Sequence, residues 1–343
     1  MQQFDTDIVV IGAGPVGLFA VFEAGMLKMR CHVVDALDMA GGQCSALYPE
    51  KPIYDIPGYP AIMAQELVDK LTAQAAPFKP YYHFGQRVEK VEKLAAGWRL
   101  TTGTGIVLGC KAIIIAAGCG AFGPNRPPLD GIEAYEGKSV FYLVAKREDF
   151  RGKKIVIAGG GDSAVDWAIS LSELAERLYV VHRRPKFRCA PESASKLEAL
   201  AKAGKIEMVV PYQLHGLEGA NGRLSSVIVA TLEGEKKTLE ADMLLPFFGL
   251  AMELGPIARW GLNLDENRIA VNQSTSETSV PGIFAVGDIA SPELTGEWEH
   301  KLKLILSGFA EAAQACHAAY KIVHPNEVLH FEYSTTSGVP KVA

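Results

Sequence analysis

Two glycine-rich turns constrain the fold of this chain more than any other feature of its sequence. The first lies in IVVIGAGPVGLFA (Ile8–Ala20) and the second in IAGGGDSAVDWA (Ile157–Ala168). In each segment, apolar residues typical of a buried strand precede the glycines, and residues that favour a helix follow them. A strand, a tight glycine turn and a helix in this order form the phosphate-binding unit of dinucleotide-binding domains. The sequence therefore predicts an α/β protein with two Rossmann-like domains.

The first turn carries the full GxGxxG spacing, with Gly12, Gly14 and Gly17. Gly12 allows the tight turn, Gly14 lets the backbone approach a pyrophosphate, and Gly17 lets the helix pack against the strand. The next apolar segment, CHVVDA, contains Asp35, twenty-one residues after Gly14, where a carboxylate binds ribose hydroxyls. This unit is therefore predicted to hold a dinucleotide with a free ribose diol, either NAD or FAD.

The second turn repeats this plan, and its predicted cofactor-binding residues are Gly159, Gly161, Asp162, Ser163 and Ala164. Twenty-one residues after Gly161 the chain has His182 in place of an acid, and Arg183 and Arg184 follow it. A carboxylate would repel a 2′-phosphate, whereas a guanidinium group binds it with two hydrogen bonds. Arg188 adds a third basic side chain. We therefore expect this unit to bind NADPH, although a solvated basic strand end would have the same composition.

Three further segments favour FAD as the first ligand. They are GGQCSALYPEK (Gly41–Lys51), AIIIAAG (Ala112–Gly118) and VPGIFAVGDIA (Val280–Ala290). Asp288, in the last segment, stands between a predicted strand and a later helix. A carboxylate at that place can accept a hydrogen bond from a ribityl hydroxyl, while nearby N–H groups bind the pyrophosphate.

Composition and charge argue against several other classes of protein. The chain has 343 residues, of which 48% are apolar and 21% charged, and its net charge is −5. Charges of both signs are mixed along the chain, so we expect no nucleic-acid partner and no anionic membrane surface. No segment has the length of a membrane span, and Asp5 and Asp7 stand where a signal peptide would be basic. A cytoplasmic protein is expected.

The cysteines give no indication of a metal or disulfide site. The six are Cys31, Cys44, Cys110, Cys119, Cys189 and Cys316, and they form neither a CxxC motif nor a zinc-type cluster. We expect free thiols, mostly buried, and no bound metal. The segment EWEH (Glu297–His300) contains possible ligands, but a solvated loop explains it better.

Five motifs together resemble those of the low-molecular-weight thioredoxin-reductase-like flavoproteins: IGAGPVG, GGQ, GGGDSA, HRRxxFR and VGDI. In that family an NADPH domain is inserted into an FAD domain. The resemblance therefore implies a discontinuous FAD-binding domain, residues 1–120 and 250–343, and an NADPH-binding domain, residues 121–249. The chain would cross between them at Gly118–Pro128 and Leu245–Pro256, where proline and glycine are frequent.

The redox-active CxxC of thioredoxin reductases has no counterpart here, because Leu143, Val144, Ala145 and Lys146 occupy its positions. The segments GGQCSALYPEKPIYDIPGYP, HRRPKFR and ELGPIARWGL and the tail LHFEYSTTSGVP resemble the thioredoxin-reductase-like ferredoxin–NADP reductases. That resemblance implies hydride transfer from NADPH to flavin N5, followed by one-electron steps to ferredoxin or flavodoxin. The alternatives are a general NAD(P)H-dependent quinone, flavodoxin or oxygen reductase, and a non-enzymatic flavin redox sensor.

The same resemblance implies roles for individual residues around the flavin. Asp35 would bind the adenosine ribose, and Asp288 would hold the ribityl–phosphate segment. Tyr48 would stack on one face of the isoalloxazine, and Tyr333 would cover the other. The remaining residues expected to contact FAD are Gln43, Val88, Phe122 and Thr335. Because the tail of this branch reaches the flavin of a second subunit, a homodimer is expected.

Overall fold

The structure is a computed structural model that describes residues 2–292, 301–329 and 338–339. It divides into two compact units. Unit 1 comprises Met1–Phe122 and Met252–Ala343, and unit 2 comprises Gly123–Ala251. Each unit contains a parallel sheet with helices, so the predicted α/β fold with two Rossmann-like domains is confirmed.

The central sheet of unit 1 is parallel. Its strands lie in the spatial order Ile283–Ala285, Ala112–Ile115, Ile8–Ile11, Cys31–Val34 and Tyr81–His83. The strands Ile8–Ile11 and Ala112–Ile115 are buried at every position, which explains their uninterrupted apolar sequences. The carboxyl ends of parallel strands meet at one edge of a sheet, and open α/β sheets bind their ligands there.

The two faces of this sheet are covered differently, which gives unit 1 three layers. Ile8 and Val10 pack with the helices Pro15–Met26 and Ile305–Val323. Val9 and Ile11 pack on the opposite side against a second sheet. The strands of that sheet are Gln3–Asp5, Val107–Cys110, Trp98–Thr102 and Val88–Lys93.

Shorter elements complete unit 1. Further helices are Gln43–Leu47 and Ala64–Ala75, and 3-10 turns lie at Ala76–Phe78, Gly255–Arg259 and Gly287–Ile289. Short strands are Pro52–Ile53 with Ile62–Met63, and Leu264–Asp265 with Arg268–Val271 and Ala290–Pro292. Within the described ranges, no helix combines the length and the apolar composition that a bilayer span requires.

Unit 2 is built on a second parallel sheet. Its strands lie in the order Glu207–Val209, Arg177–Val181, Lys154–Ala158 and Met243–Pro246. The helices are Asp162–Leu171 and Pro191–Lys202, with 3-10 turns at Ile132–Ala134 and Arg147–Phe150. An antiparallel sheet of Gln213–Ala220, Arg223–Ala230 and Lys236–Glu240 packs with the strands through one apolar cluster.

The chain passes between the units twice, and the two passages pair as strands, Ala121–Pro124 with Leu250–Glu253. Beside this pair, the Asn125 N–H donates to the Gly249 carbonyl oxygen at 3.0 Å. The Asn125 side-chain amide donates to the Phe248 carbonyl oxygen at 3.1 Å. The two passages are therefore tied together by backbone and side-chain hydrogen bonds.

Candidate cofactor sites

A cavity of about 460 Å³ lies at the carboxyl edge of the unit 1 sheet. Gly12, Asp35, Ala116 and Val286 line it, and each directly follows one of the parallel strands. The fold thus brings together four segments that are far apart in sequence. Pockets for small molecules and cofactors typically enclose about 300–1,000 Å³, so the cavity has the size of a ligand site.

The three glycines of the first turn differ in the space around them. Gly12 has a φ of +109°, and a Cβ there would overlap the carbonyl oxygen of Ala116. A Cβ on Gly17 would overlap the carbonyl oxygen of Gly12, so only glycine lets this helix pack so closely. Gly14 has an ordinary φ of −68°, and the nearest described atom to a Cβ would be Gly42 Cα at 4.0 Å. The room beside Gly14 faces the cavity and is available to a ligand.

Two helices begin at this cavity, and neither has a side chain that caps its first N–H groups. The helix Pro15–Met26 follows Gly14, and the helix Ile305–Val323 follows Leu304. Both Gly14 and Leu304 line the cavity, with Lys303 beside them. Free N–H groups and the positive ends of two helix dipoles favour a bound anion. The sequence indicated the first of these helix ends, but no motif marked Lys303.

Asp35 lies at the cavity and also holds the first turn in place. Its Oδ2 accepts a hydrogen bond from the Ala13 N–H at 2.6 Å, and its Oδ1 accepts one from the Leu37 N–H at 2.8 Å. Burial raises the pKa of this carboxyl, and the two hydrogen bonds oppose the rise. Because each carboxylate oxygen has a further lone pair, Asp35 can still accept a hydrogen bond from a ribose hydroxyl.

Gln43, Cys44 and Tyr48 line another part of the cavity, on the helix Gln43–Leu47 and at its end. The Gln43 side-chain amide donates to Cys119 Sγ at 3.3 Å, and the Cys44 thiol donates to the Tyr48 hydroxyl at 4.0 Å. Burial raises the pKa of Tyr48. Tyr48 therefore stays neutral and keeps a hydroxyl hydrogen to donate.

The other sequence-predicted residues of this site fall into two groups. Asp288 and Val88 line the same cavity, Asp288 in the turn Gly287–Ile289 and Val88 as a buried wall residue. Tyr333 and Thr335 lie outside the described residues, as does the side chain of Phe122. The roles expected of these last three residues remain predictions.

The cavity also has lining residues that no motif identified. They include Gln86, Arg87, Leu254, Pro256, Ile257 and Trp260. The Trp260 indole N–H is buried and has no hydrogen-bond acceptor within the described ranges. A buried donor without a partner costs about 1–3 kcal/mol. The two uncapped helix ends and the room beside Gly14 make the cavity fit a bound FAD.

The second glycine turn, in unit 2, resembles the first: one glycine has no room for a Cβ, and another has free space beside it. A Cβ on Gly159 would lie 2.9 Å from the Cβ of Ala164, which is fully buried. Gly161 is open on one side, because the nearest described atom to a Cβ there would be 3.9 Å away. Asp162 and Ser163 begin the helix and are exposed. The start of this helix is therefore accessible to a phosphate group.

Three arginines lie near His182, the residue that stands in the second unit where Asp35 stands in the first. Arg183, Arg184 and Arg188 are exposed and form no ion pair with any residue that the structure describes. The pKa of His182 is lowered by burial and further by all three guanidinium charges. The Arg188 N–H donates to the Gly160 carbonyl oxygen at 2.6 Å, which ties this arginine to the glycine turn. The geometry provides a positive group beside a phosphate-binding turn.

Comparison with known proteins decides the family. Residues 6–318 match the pyridine nucleotide-disulphide oxidoreductases. The chain belongs to this family. It is 65% identical over 342 residues to a ferredoxin–NADP reductase of Paramagnetospirillum magneticum, covering 99% of this chain and 100% of that protein. A ferredoxin–NADP reductase of Rhodospirillum rubrum is 64% identical over 341 residues, covering 98% and 97%.

Solved structures of thioredoxin reductases have the same fold as this pyridine nucleotide-disulphide oxidoreductase. The Lactococcus lactis enzyme has a TM-score of 0.79 and 25% identity, covering 93% of this chain and 99% of that one. The T. acidophilum enzyme has the same TM-score and identity, covering 92% and 98%. The resemblance that the motifs predicted is confirmed.

The name of the pyridine nucleotide-disulphide oxidoreductases refers to a disulphide, yet the six cysteines of this chain are free thiols. Cys44 contacts Tyr48, four residues later in the chain, and Cys119 contacts Gln43, 76 residues earlier. Burial raises the pKa of Cys44 to about 11 and also raises the pKa of Cys119. Because the thiolate is the reactive form, neither thiol is activated for exchange with a disulfide.

Proposed function

We propose that this protein is an FAD-dependent oxidoreductase that transfers electrons between NADPH and ferredoxin. The observation that carries the proposal is the 65% identity, over 99% of the chain, to a protein named ferredoxin–NADP reductase. Identity to the Lactococcus lactis and T. acidophilum thioredoxin reductases is 25%. Bound FAD supplies the redox chemistry, because it accepts a hydride and can release electrons singly.

The residues of the unit 1 cavity hold FAD along its length. The N–H groups that follow Gly14, and those at the start of the helix Ile305–Val323, bind the pyrophosphate, and the absence of a Cβ on Gly14 lets it approach. Asp35 would accept hydrogen bonds from the adenosine ribose while the bond that it accepts from the Ala13 N–H holds the glycine turn. Asp288 accepts a hydrogen bond from the ribityl chain.

Gln43 and Tyr48 would contact the flavin part of FAD. The bond from Gln43 to Cys119 fixes the side-chain amide, so that its direction is set before a ligand enters. Tyr48 offers an aromatic face and a neutral hydroxyl. No acid or base is required of either residue, since hydride transfer depends on the distance and orientation of the two rings.

The residues of the second turn hold NADPH and select it over NADH. Gly161 and the exposed start of the helix Asp162–Leu171 bind the pyrophosphate. Arg183, Arg184 and Arg188 bind the 2′-phosphate, which NADH lacks. None of the three needs to leave an ion pair in the described structure before it binds the cofactor.

A homodimer is part of the proposal. Ile305 and Phe309 pack against the cluster that contains Ile56 and Ile62, so the segments 52–63 and 302–309 are neighbours. On these segments Tyr54 is 72% exposed, Leu302 62% and Met63 48%. Exposed apolar side chains grouped in this way are typical of a subunit interface. Tyr333 and Thr335 of each tail would then reach the partner subunit's flavin.

A cytoplasmic location completes the proposal. Six free thiols are typical of a compartment that keeps cysteines reduced. NADPH and ferredoxin are the partners that such a compartment supplies.

The identity of the electron acceptor is tested with the purified holoprotein under anaerobic conditions. NADPH should bleach the flavin absorbance, and steady-state turnover should have a higher kcat/KM with ferredoxin than with a quinone or with thioredoxin. Flavodoxin is included as the second one-electron acceptor. Failure of NADPH to bleach the flavin, or a higher kcat/KM with thioredoxin or a quinone, would contradict the proposal.

A further inference from the structure

Two oppositely charged and largely buried side chains hydrogen-bond to a single residue beside the FAD cavity. The Gly287 N–H donates to Glu311 Oε2 at 2.8 Å, and the Gly287 carbonyl oxygen accepts a hydrogen bond from Lys301 Nζ at 2.6 Å. Lys301 Nζ and the Glu311 carboxylate are themselves 2.6 Å apart. Both polar backbone groups of Gly287 are therefore bound by the two members of one ion pair.

We call Lys301, Glu311 and the Gly287 backbone that they bind the Gly287 clamp, and it packs within unit 1. The side chain of Lys301 is 7% exposed and that of Glu311 18%. Gly287 has a φ of +75°, so the chain turns sharply where the clamp holds it. A Cβ on Gly308, one turn before Glu311 in the same helix, would lie 3.4 Å from Gly287 Cα. The helix that supplies Glu311 thus lies directly against the turn.

The residue after Gly287 is Asp288, which lines the cavity at the uncapped start of the same helix. The Gly287 carbonyl oxygen belongs to the Gly287–Asp288 peptide, so any rotation of that peptide reorients the backbone that carries the Asp288 side chain. We propose that Lys301 and Glu311 are positioning residues for FAD, which aim the Asp288 carboxylate at the ribityl–phosphate part of the cofactor. This inference rests on the proposed function, because it assumes that FAD occupies the cavity.

The ion pair between Lys301 and Glu311 is expected to add little to the free energy of unfolding. Desolvating two charges offsets most of their attraction, and an apolar pair of similar volume is often as stable. The clamp instead has a polarity that matches the two backbone groups of one residue, with an acceptor for the Gly287 N–H and a donor for its carbonyl oxygen. Hydrogen-bonded residues behind a ligand-contacting group commonly fix its orientation. The clamp is therefore best explained by the direction that it gives Asp288.

The test measures FAD binding to the apo-protein, by the quenching of FAD fluorescence on titration. Lys301→Met removes the donor and the positive charge with little change of volume, and we expect it to raise the FAD Kd roughly 10- to 100-fold. Glu311→Leu should have an effect of the same size. Glu311→Gln keeps an acceptor for the Gly287 N–H and should weaken binding less than Glu311→Leu does.

A double-mutant cycle shows whether the clamp acts through Asp288. In an Asp288→Asn background, Lys301→Met should weaken FAD binding little further, because the carboxylate that it positions is already gone. Lys154→Met is the matched control, since Lys154 forms an ion pair with Glu240 in unit 2. That variant should bind FAD like the wild type.

The outcomes separate this inference from the proposed function. If the wild-type apo-protein does not bind FAD, the proposed function fails. If the wild type binds FAD and Lys301→Met and Glu311→Leu bind it equally well, the clamp has no positioning role. The positioning role would also be contradicted if Lys301→Met raised the FAD Kd in the Asp288→Asn background as much as it does in the wild type. Thermal unfolding of each apo-protein identifies a variant that fails to fold, and the Glu311→Gln and Glu311→Leu pair then decides the question.

Discussion

Replacing Gly14 by alanine should separate the stability of the fold from the affinity for FAD. The φ of Gly14 is −68°, which alanine adopts without strain, and a Cβ there would have no described neighbour closer than 4.0 Å. A glycine-to-alanine change at such a position stabilises a protein by about 0.4–1 kcal/mol, because the unfolded chain loses conformational freedom. The midpoint of thermal unfolding of the apo-protein should therefore stay constant or rise by about 1–4 °C.

The same methyl group occupies the room that a bound pyrophosphate needs. Forcing an extra methyl into a packed contact costs about 1–3 kcal/mol. The FAD Kd of Gly14→Ala should therefore rise about 5- to 150-fold. The assay is fluorescence titration of the apo-protein with FAD, paired with thermal unfolding of the same sample.

Gly17→Ala is the control, because Gly14 precedes the helix and has room for a Cβ, whereas Gly17 lies within the helix and has none. A Cβ on Gly17 would overlap the carbonyl oxygen of Gly12, and a backbone atom cannot move aside cheaply. Gly17→Ala should destabilise the apo-protein by about 3 kcal/mol or more. If Gly14→Ala instead lowers stability and leaves the FAD Kd unchanged, the pyrophosphate does not lie beside Gly14 and the cavity has been assigned to the wrong ligand.

Three further predictions concern other parts of the chain. Arg183→Ala combined with Arg184→Ala should raise the KM for NADPH about 10- to 100-fold and leave the KM for NADH nearly unchanged; equal losses would contradict the 2′-phosphate assignment. His32 Nδ1 and His83 Nε2 are 2.9 Å apart, and burial lowers the pKa of both, that of His83 to about 4. Because the unfolded chain takes up these protons first, the free energy of unfolding should fall by on the order of 2–3 kcal/mol as the pH drops from 6.5 to 4. Chemical unfolding at several pH values measures this fall, and His83→Phe should reduce it; an unreduced fall would show that other groups cause it. Removal of Tyr333–Ala343 should leave a folded FAD protein with an altered flavin spectrum and faster reaction with oxygen, and an unchanged spectrum and oxygen rate would show that the tail does not touch the flavin.

Features that depend on a few consecutive residues were predictable from the sequence. The spacing of Gly12, Gly14 and Gly17 predicts a tight turn against a helix, and the structure shows that Gly12 and Gly17 have no room for a Cβ. The apolar segments before the two turns predict buried parallel strands, and the two parallel sheets confirm them. Tight backbone contacts require glycine at fixed positions, and buried strands require runs of apolar residues, so both can be recognised in the sequence.

Features that depend on the order of strands in the sheet were not predictable. Trp260 and Lys303 line the cavity although both lie far in sequence from the first glycine turn, and no short motif expresses that placement. Cys119 meets Gln43, 76 residues earlier in the chain, a contact that no local pattern expresses. The hydrogen bond that the Ala13 N–H of the first turn donates to Asp35 was also missed, since the spacing indicates only that an acid follows the second strand.

The central claim is that electrons pass between the flavin and ferredoxin without a thiol carrier. It is tested most directly with a Cys44→Ala/Cys119→Ala variant, which removes the two thiols that contact the cavity residues. The variant is reduced with NADPH under anaerobic conditions and mixed with oxidised ferredoxin in a stopped-flow instrument. Ferredoxin should be reduced at the wild-type rate, and thioredoxin should not be reduced by either protein. Loss of ferredoxin reduction in a variant whose flavin NADPH still reduces would show that a thiol carries the electrons, and would contradict the claim.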